Sequence, residues 1–395
     1  FVSSVALLVS IAVSHICLVV ALILLGASKT RLRMPPLAWP LAGFLGWTVL
    51  SMLVSDDPAS GWPQIKKFFV FTILLVVYSL FPKIDQARRL MEAWFACTLF
   101  AGAWSIVQFV RAWLDVHDRG QDFYQSYVGH RISGFFSHWV TFSEVTLLVF
   151  LVLLSYLMFS AEGGRRTRAI WFGCGIVFGV SLVLSFTRGV WLALAVAGPY
   201  LVWRWKPKLL LAGPALVAVA LLVAPPTTRQ RLESIASPSQ NPERVVMWRT
   251  GWKMIQAHPW LGVGPERVGP RFGEFLPDDV DELPLGYYGH LHSIYVHYAA
   301  ERGVPALLML LWLMALVLRD HRRALRKLRW GRSDQRFVLH AVIAATVGVL
   351  VAGCFDLALG DSEVLGVFLT LVALGYRTVE QVERQARTGV SIPPA

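Results

Sequence analysis

The sequence predicts an all-α polytopic membrane protein with about eleven to twelve transmembrane helices and one long helical loop outside the cytoplasm. Apolar residues make up 55% of its 395 positions, charged residues only 16%, and the mean hydropathy is +0.55. A soluble domain carries about 25% charged residues. The apolar residues gather in repeated runs near the ~20 residues that cross a bilayer. The connections between runs alternate between rich and poor in Lys and Arg, which is the mark of a chain threaded back and forth through a membrane.

Eleven runs are read, at 1–26, 37–54, 66–81, 89–112, 140–160, 169–186, 189–203, 208–224, 303–318, 337–357 and 363–377. The chain opens on Phe1 rather than Met, so its native start is expected upstream. One set of connections holds Lys29, Arg31 and Arg33; Lys83, Arg88 and Arg89; Arg165, Arg166 and Arg168; Arg204, Lys206 and Lys208; the basic run from Arg319 to Arg336; and Arg377, Arg384 and Arg387. The other set holds only Lys66, Lys67, Arg111, Arg119, Arg131 and Arg188 in its short connections. The first set is therefore assigned to the cytoplasm. This also accounts for the net charge of +12 and the pI near 9.8 without a nucleic-acid partner, because such residues meet anionic membrane lipid. Cys17, Cys97, Cys174 and Cys354 all fall inside apolar runs with no CxxC spacing, so neither a disulfide framework nor a zinc site is indicated.

The chain thus divides into transmembrane helices over 1–224, an extracytoplasmic loop domain over 225–302, and further spans with a cytoplasmic tail over 303–395. Within the loop, Asn241 is placed to cap a helix that Pro242 and Glu243 open and that stops before Pro259. Its Val245, Trp248, Trp252 and Ile255 form one stripe, suited to the bilayer interface or to the spans. Gly262-Val-Gly-Pro265 is a turn. Residues 273–289 read as an acidic flap, and a second helix runs from near His292 to Gly303.

The candidate residues for chemistry lie on that side of the membrane. Arg188 sits at a break between two runs, where it either grips a phosphate bidentately or snorkels from a span end. Arg244, Arg249, Arg267 and Arg271 are interleaved with Trp248, Trp252 and Trp260. They read as a diphosphate-binding set, or as solvated cations in an aromatic belt. Arg244 falls in a first helical turn, where backbone N–H groups also favour an anion, and Arg267 follows the glycine turn. His290 and His292 have His-x-His spacing, but His297 lies five residues on and no third metal ligand stands at a convincing distance. A metal is therefore not expected. A histidine at a helix N-terminus is kept neutral by the dipole and can act as a general base; a hydrogen-bonded surface histidine is the plainer reading. Asp356, Asp361 and Glu363 can orient such a base, or merely cap helices. Glu144 and His15 lie in or beside apolar runs without an assigned role. Walker, GxSxG, HExxH and Rossmann patterns and a spaced Asp-x-Asp are all missing at usable positions. That argues against a nucleotide-sugar donor and for a lipid-linked one.

The sequence resembles the O-antigen ligase and polymerase superfamily of bacterial membrane proteins. The resemblance rests on Ser-Phe-Thr-Arg188-Gly, Arg244-x-x-x-Trp248, His258-Pro-x-x-Gly262-Val-Gly-Pro265, the pair His292-Ser293 where relatives usually carry His-Asn, and Glu301-x-Gly303. It implies a GT-C-like, metal- and cofactor-independent, inverting glycosyltransferase of the bacterial inner membrane. The donor is a glycan on undecaprenyl diphosphate and, in the ligase branch, the acceptor is lipid A–core oligosaccharide. The resemblance further implies a periplasmic site in which His292 is the base and Arg188, Arg244 and Arg267 hold the diphosphate. Arg249, Arg271, His290 and Trp248 support them. Polymerases and protein O-oligosaccharyltransferases of the same superfamily are alternative readings, and a lipid-linked polysaccharide flippase is the alternative of another class.

Overall fold

The computed structural model describes residues 1–28, 30–215, 222, 225–236, 242–280 and 289–388, and these are helical with no strand among them. In chain order the helices are α1 (Val2–Ala6), α2 (Ile11–Ala27), α3 (Ala38–Val54), α4 (Trp62–Lys66), α5 (Phe68–Leu80), α6 (Ile84–Asp118), α7 (Phe123–Gly129), α8 (Trp139–Phe159), α9 (Arg165–Leu184) and α10 (Arg188–Trp205). There follow α11 (Pro226–Ala236), α12 (Pro242–Ala257), α13 (Ile294–Arg302), α14 (Val304–Lys327), α15 (Asp334–Ala352) and α16 (Ser362–Thr388).

Among the described residues, seven helical stretches are long and apolar enough to cross a membrane: Pro58–Leu80, α6, α8, α9, α14, α15 and α16. α2 and α3 are shorter apolar helices. The first apolar run is two helices rather than one, because Ser10 turns extended and its hydroxyl accepts from the Val13 N–H to start α2. Residues 216–221, 223 and 224 of the eighth run, and Asn241 with its expected capping role, lie outside the described residues.

α8, α15 and α16 form the centre, with most of their membrane-length windows buried. α5, α6, α9 and α14 bury a third or less of theirs. α9 turns Ile170, Phe172, Ile176 and Val183 outward, as a lipid-facing helix does.

The basic connections converge on one end of the bundle. There Arg33 pairs with Glu380, Arg88 lies 2.9 Å from Asp334, and the Arg377 guanidinium donates to the Phe81 carbonyl. The polar loop covers the opposite end with its own small core of Met247, Met254, Val263, Val268, Phe272 and Leu291. The inward face of α12 is Met247, Thr250, Gly251 and Met254 rather than the expected stripe. Val245 and Trp252 are exposed. Gly251 decides the difference, since a Cβ there would come within 2.6 Å of both Leu291 and Val296. Only glycine lets α12 approach α13 so closely.

Candidate active site

Three chain segments far apart in sequence meet under the loop. The first is the break between α9 and α10. The Ser185 hydroxyl bonds back to the Leu182 carbonyl, and Phe186 takes φ +50°, a left-handed conformation uncommon for a residue with a side chain. The kink turns the Phe186 carbonyl toward two guanidiniums: Arg131 Nη1 donates to it at 3.1 Å and Arg231 Nε at 3.0 Å. Arg188 then opens α10. Gly189, next to it, packs on the segment leading to Asp356, with room for a Cβ only 3.1 Å from Phe355 Cβ.

The second segment is the start of α13. The Ile294 N–H donates to the Gly353 carbonyl at 2.8 Å, which ties this turn to the chain before Asp356. Ser293, buried, caps α13 by accepting from the Val296 N–H. Serine is among the strongest helix caps. His292 itself has φ +45°, a second strained residue on this surface. Its Nδ1 faces Asp356 Oδ1 at 3.4 Å. The Asp356 carboxylate is steadied by the Leu357 N–H at 2.8 Å. The third segment is α12, whose Trp248 indole N–H donates to the Leu291 carbonyl at 3.0 Å and locks this helix to the histidine turn.

Together with parts of α7, α8, α11 and the chain after α15, these segments enclose a cavity of about 340 Å³. Arg131, Arg188, Arg231 and Arg244 line it, and so do His292, Asp356 and the buried Glu144. Its electrostatics are lopsided. Burial, then the charges of Arg231 and Arg244, push the Arg131 guanidinium down to about 9. Burial also lowers Arg244, against the pull of Asp356. Such a crowd of guanidiniums is relieved by an anion. Burial would raise Asp356, but His292, His290 and Arg244 outweigh it and hold the carboxyl at about 2. It is therefore charged at neutral pH and can hold the Nδ1 proton of His292. Burial and the neighbouring His292 push His290 down to about 4, so its ring is neutral.

Of the residues expected from sequence, the cavity brings together Arg188, Arg244 and His292. Trp248 and His290 stand behind them, the His290 Nδ1 accepting from the His292 N–H at 3.4 Å. Arg267 is elsewhere: it is bidentate on Asp56, with Nε 2.9 Å from Oδ1, and also faces Asp57. Arg249 pairs with Asp279 in solvent, and Arg271 lies on the Phe275 ring and on Glu274. None of these three lines the cavity. Arg249 and Arg267 each have an acidic partner that spacing along the chain does not reveal, whereas Glu274 lies only three residues beyond Arg271. Arg131, Arg231 and Glu144 went unassigned in the sequence. Glu144 carried a usable signal, because an ionisable residue inside an apolar run is a functional candidate by default. A lone arginine in a polar stretch, like Arg231, carries none.

Ligand atoms of His290, His292 and Asp356 lie within 4.8 Å of one another, close enough to gather around a cation. The four guanidiniums on the same cavity oppose a dication there. The arrangement suits instead a dianion held on the arginine wall beside a histidine–carboxylate pair.

No curated protein matches the chain. From α9 through the loop and into α14, residues 173–311 match the family model described as O-antigen ligase, which supports kinship with the O-antigen ligase/polymerase superfamily.

Proposed function

We propose that the protein is an O-antigen ligase of the bacterial inner membrane. It moves a glycan from undecaprenyl diphosphate to lipid A–core oligosaccharide at the periplasmic face, without a metal and with inversion. The observation that carries this reading is that Arg188, Arg244 and His292, which come from three separate segments, line one cavity at the end of the bundle away from the basic connections. The diphosphate sits on Arg188 and Arg244, joined by Arg131 and Arg231, which offset the charge that grows on the leaving group. His292 Nε2 takes the proton of the acceptor hydroxyl as its oxygen bonds to the anomeric carbon. The bond from that carbon to the diphosphate breaks on the opposite side, and its electron pair stays on the phosphate oxygen. Asp356 holds Nδ1–H and balances the imidazolium until its proton passes to water. Both substrates are amphiphiles, so a site at the membrane surface brings them together in two dimensions rather than three.

The test is reconstitution of the purified protein with undecaprenyl-diphosphate glycan and lipid A–core in EDTA, with product followed by mass. Joined glycan–core lipid is the expected outcome. Longer lipid-linked chains without core product would identify a polymerase, and translocated donor without any joined product a flippase. In the same assay Arg188→Gln and Arg244→Gln each lower kcat/KM by about 10- to 100-fold, the worth of a hydrogen bond to a charged group. Arg267→Gln changes it by less than about fivefold, as for a partly exposed ion pair.

A further inference from the structure

A second opening lies at the other end of the bundle, between α10, α14 and α15, with a volume of about 330 Å³. Its walls are mainly apolar, with Leu318, Leu325, Ile343 and Val347 among them. Arg204, Arg322 and Arg326 stand on the same lining. Among the described residues none of the three meets a carboxylate: Arg204 has only the Trp203 ring, 5.7 Å away. Some of their basic neighbours have partners. Arg319 holds Asp320, Lys327 holds Glu383, and Arg336 donates to the Arg329 carbonyl. Three unmatched guanidiniums at the rim of an apolar slot call for an anion and a hydrocarbon in the same ligand.

We infer that this opening binds an anionic glycerophospholipid, with its phosphate on Arg204, Arg322 and Arg326 and the first part of an acyl chain in the slot. The depth is right. Trp203 and Trp205, which carries Lys206 4.6 Å above its ring, sit at the basic end of α10, where aromatic side chains mark the headgroup level. Basic pockets between membrane helices on the cytoplasmic side favour anionic headgroups, each basic residue contributing about fivefold in affinity. A zwitterionic lipid brings its own cation and gains little from the arginines, and a free phosphate ester leaves the slot empty. The lipid also has something to hold. α10 carries Arg188 at its other end, and α15 ends at Ala352, shortly before Asp356. A lipid wedged between α10, α14 and α15 at their basic ends braces the two helices that set the spacing of the far cavity.

The test uses the full chain, purified and delipidated in detergent. Its unfolding temperature and retained lipid by native mass spectrometry are measured with phosphatidylglycerol, phosphatidylcholine or glycerol 3-phosphate. Phosphatidylglycerol alone is expected to raise the unfolding temperature and to survive as a bound adduct. Arg322→Gln/Arg326→Gln is expected to bind it about thirtyfold more weakly and to lose the shift. Should that double variant fail to fold, Arg204→Gln alone is expected to weaken binding about fivefold. Equal shifts with phosphatidylcholine, a shift with glycerol 3-phosphate, no shift with any of the three, or undiminished binding by the variants would each overturn the assignment. None of these readouts depends on glycan transfer, so the lipid site stands or falls separately from the proposed reaction.

Discussion

If the proposed reaction holds, His292→Ala is expected to lower the rate of glycan transfer by about 10²- to 10⁴-fold, the usual worth of a positioned general base, while the protein stays folded in the membrane. The size follows from the geometry. His292 lines the cavity next to the arginine wall, and its Nδ1 faces the Asp356 carboxylate 3.4 Å away, so Nε2 is the nitrogen left to take a proton. Stability is little affected, because the fold around His292 is held by other atoms: the Ile294 N–H on the Gly353 carbonyl, the Ser293 cap and the Trp248 indole on the Leu291 carbonyl. The imidazole borders the open cavity, so its loss removes packing on one side only, against His290. Asp356→Asn gives a smaller loss, since an amide can present its N–H rather than an acceptor to Nδ1 and so favours the wrong tautomer. Because Asp356 is held at about 2 in the folded protein, its own protonation does not produce an acid limb in the rate profile between pH 5 and 8. Single-turnover rates with matched unfolding curves decide the matter. A near-normal rate for His292→Ala in folded protein removes the base from the mechanism.

Apolar runs and alternating basic connections made the bundle and its two faces legible in the sequence. Those signals are sums over many residues, and no one contact can spoil them. The cavity was legible only in part. Arg188, Arg244 and His292, which line it, each sit at a helix start, and helix starts are marked by cap residues, proline and breaks in apolar runs. Arg267 lies away from the cavity for a reason that no local signal carries. Its carboxylate partner Asp56 comes from the connection after α3, more than two hundred positions away, and nothing local announces an ion pair of that range. The same limit hid Arg231, whose role depends on a carbonyl turned outward by the kink at Phe186. The missed break at Ser10 has a local cause: one serine cap inside an apolar run outweighs a hydropathy average.

Gly303→Ala and Glu301→Gln both destabilise the protein strongly, because the two glycine-containing motifs of the loop are halves of one clasp. Gly303 has φ +85° and ψ +161°, a region only glycine occupies without strain, and a Cβ there would lie 1.9 Å from the Trp260 carbonyl oxygen. Gly262 meets the other side of the clasp, with a Cβ position 2.3 Å from the Glu301 carbonyl carbon. Glycine at both places lets the 259–264 turn lie against the end of α13. There the Val263 N–H donates to the Ala300 carbonyl and the Gly264 N–H to the Glu301 carbonyl, each at 2.9 Å. The Trp47 indole and Ser51 hydroxyl of α3 donate to the carbonyls of Trp260 and Leu261. Beneath the turn the Glu301 carboxylate is almost wholly buried and accepts from Arg302 Nε at 2.8 Å and from the Glu266 N–H at 2.9 Å. Burial alone would raise this carboxyl; Arg302 and His297 beside it outweigh burial and hold it well below the usual carboxylate range. Glu301→Gln leaves Arg302 buried without its counter-charge, at a cost of about 3–5 kcal/mol. Gly303→Ala adds backbone strain of about 1–3 kcal/mol to the steric overlap. The sign with pH follows from the depressed carboxyl. Its contribution is whole above the unfolded glutamate value of about 4.3 and drains away as pH falls below it. Unfolding of the wild type therefore moves to lower temperature from about pH 5 downward, and the Glu301→Gln variant, already lower, loses that part of the slope. Detergent-phase unfolding followed by tryptophan fluorescence at pH 4, 5 and 7 measures both effects. Identical slopes for the two proteins would mean that Glu301 does not hold the loop to the membrane helices.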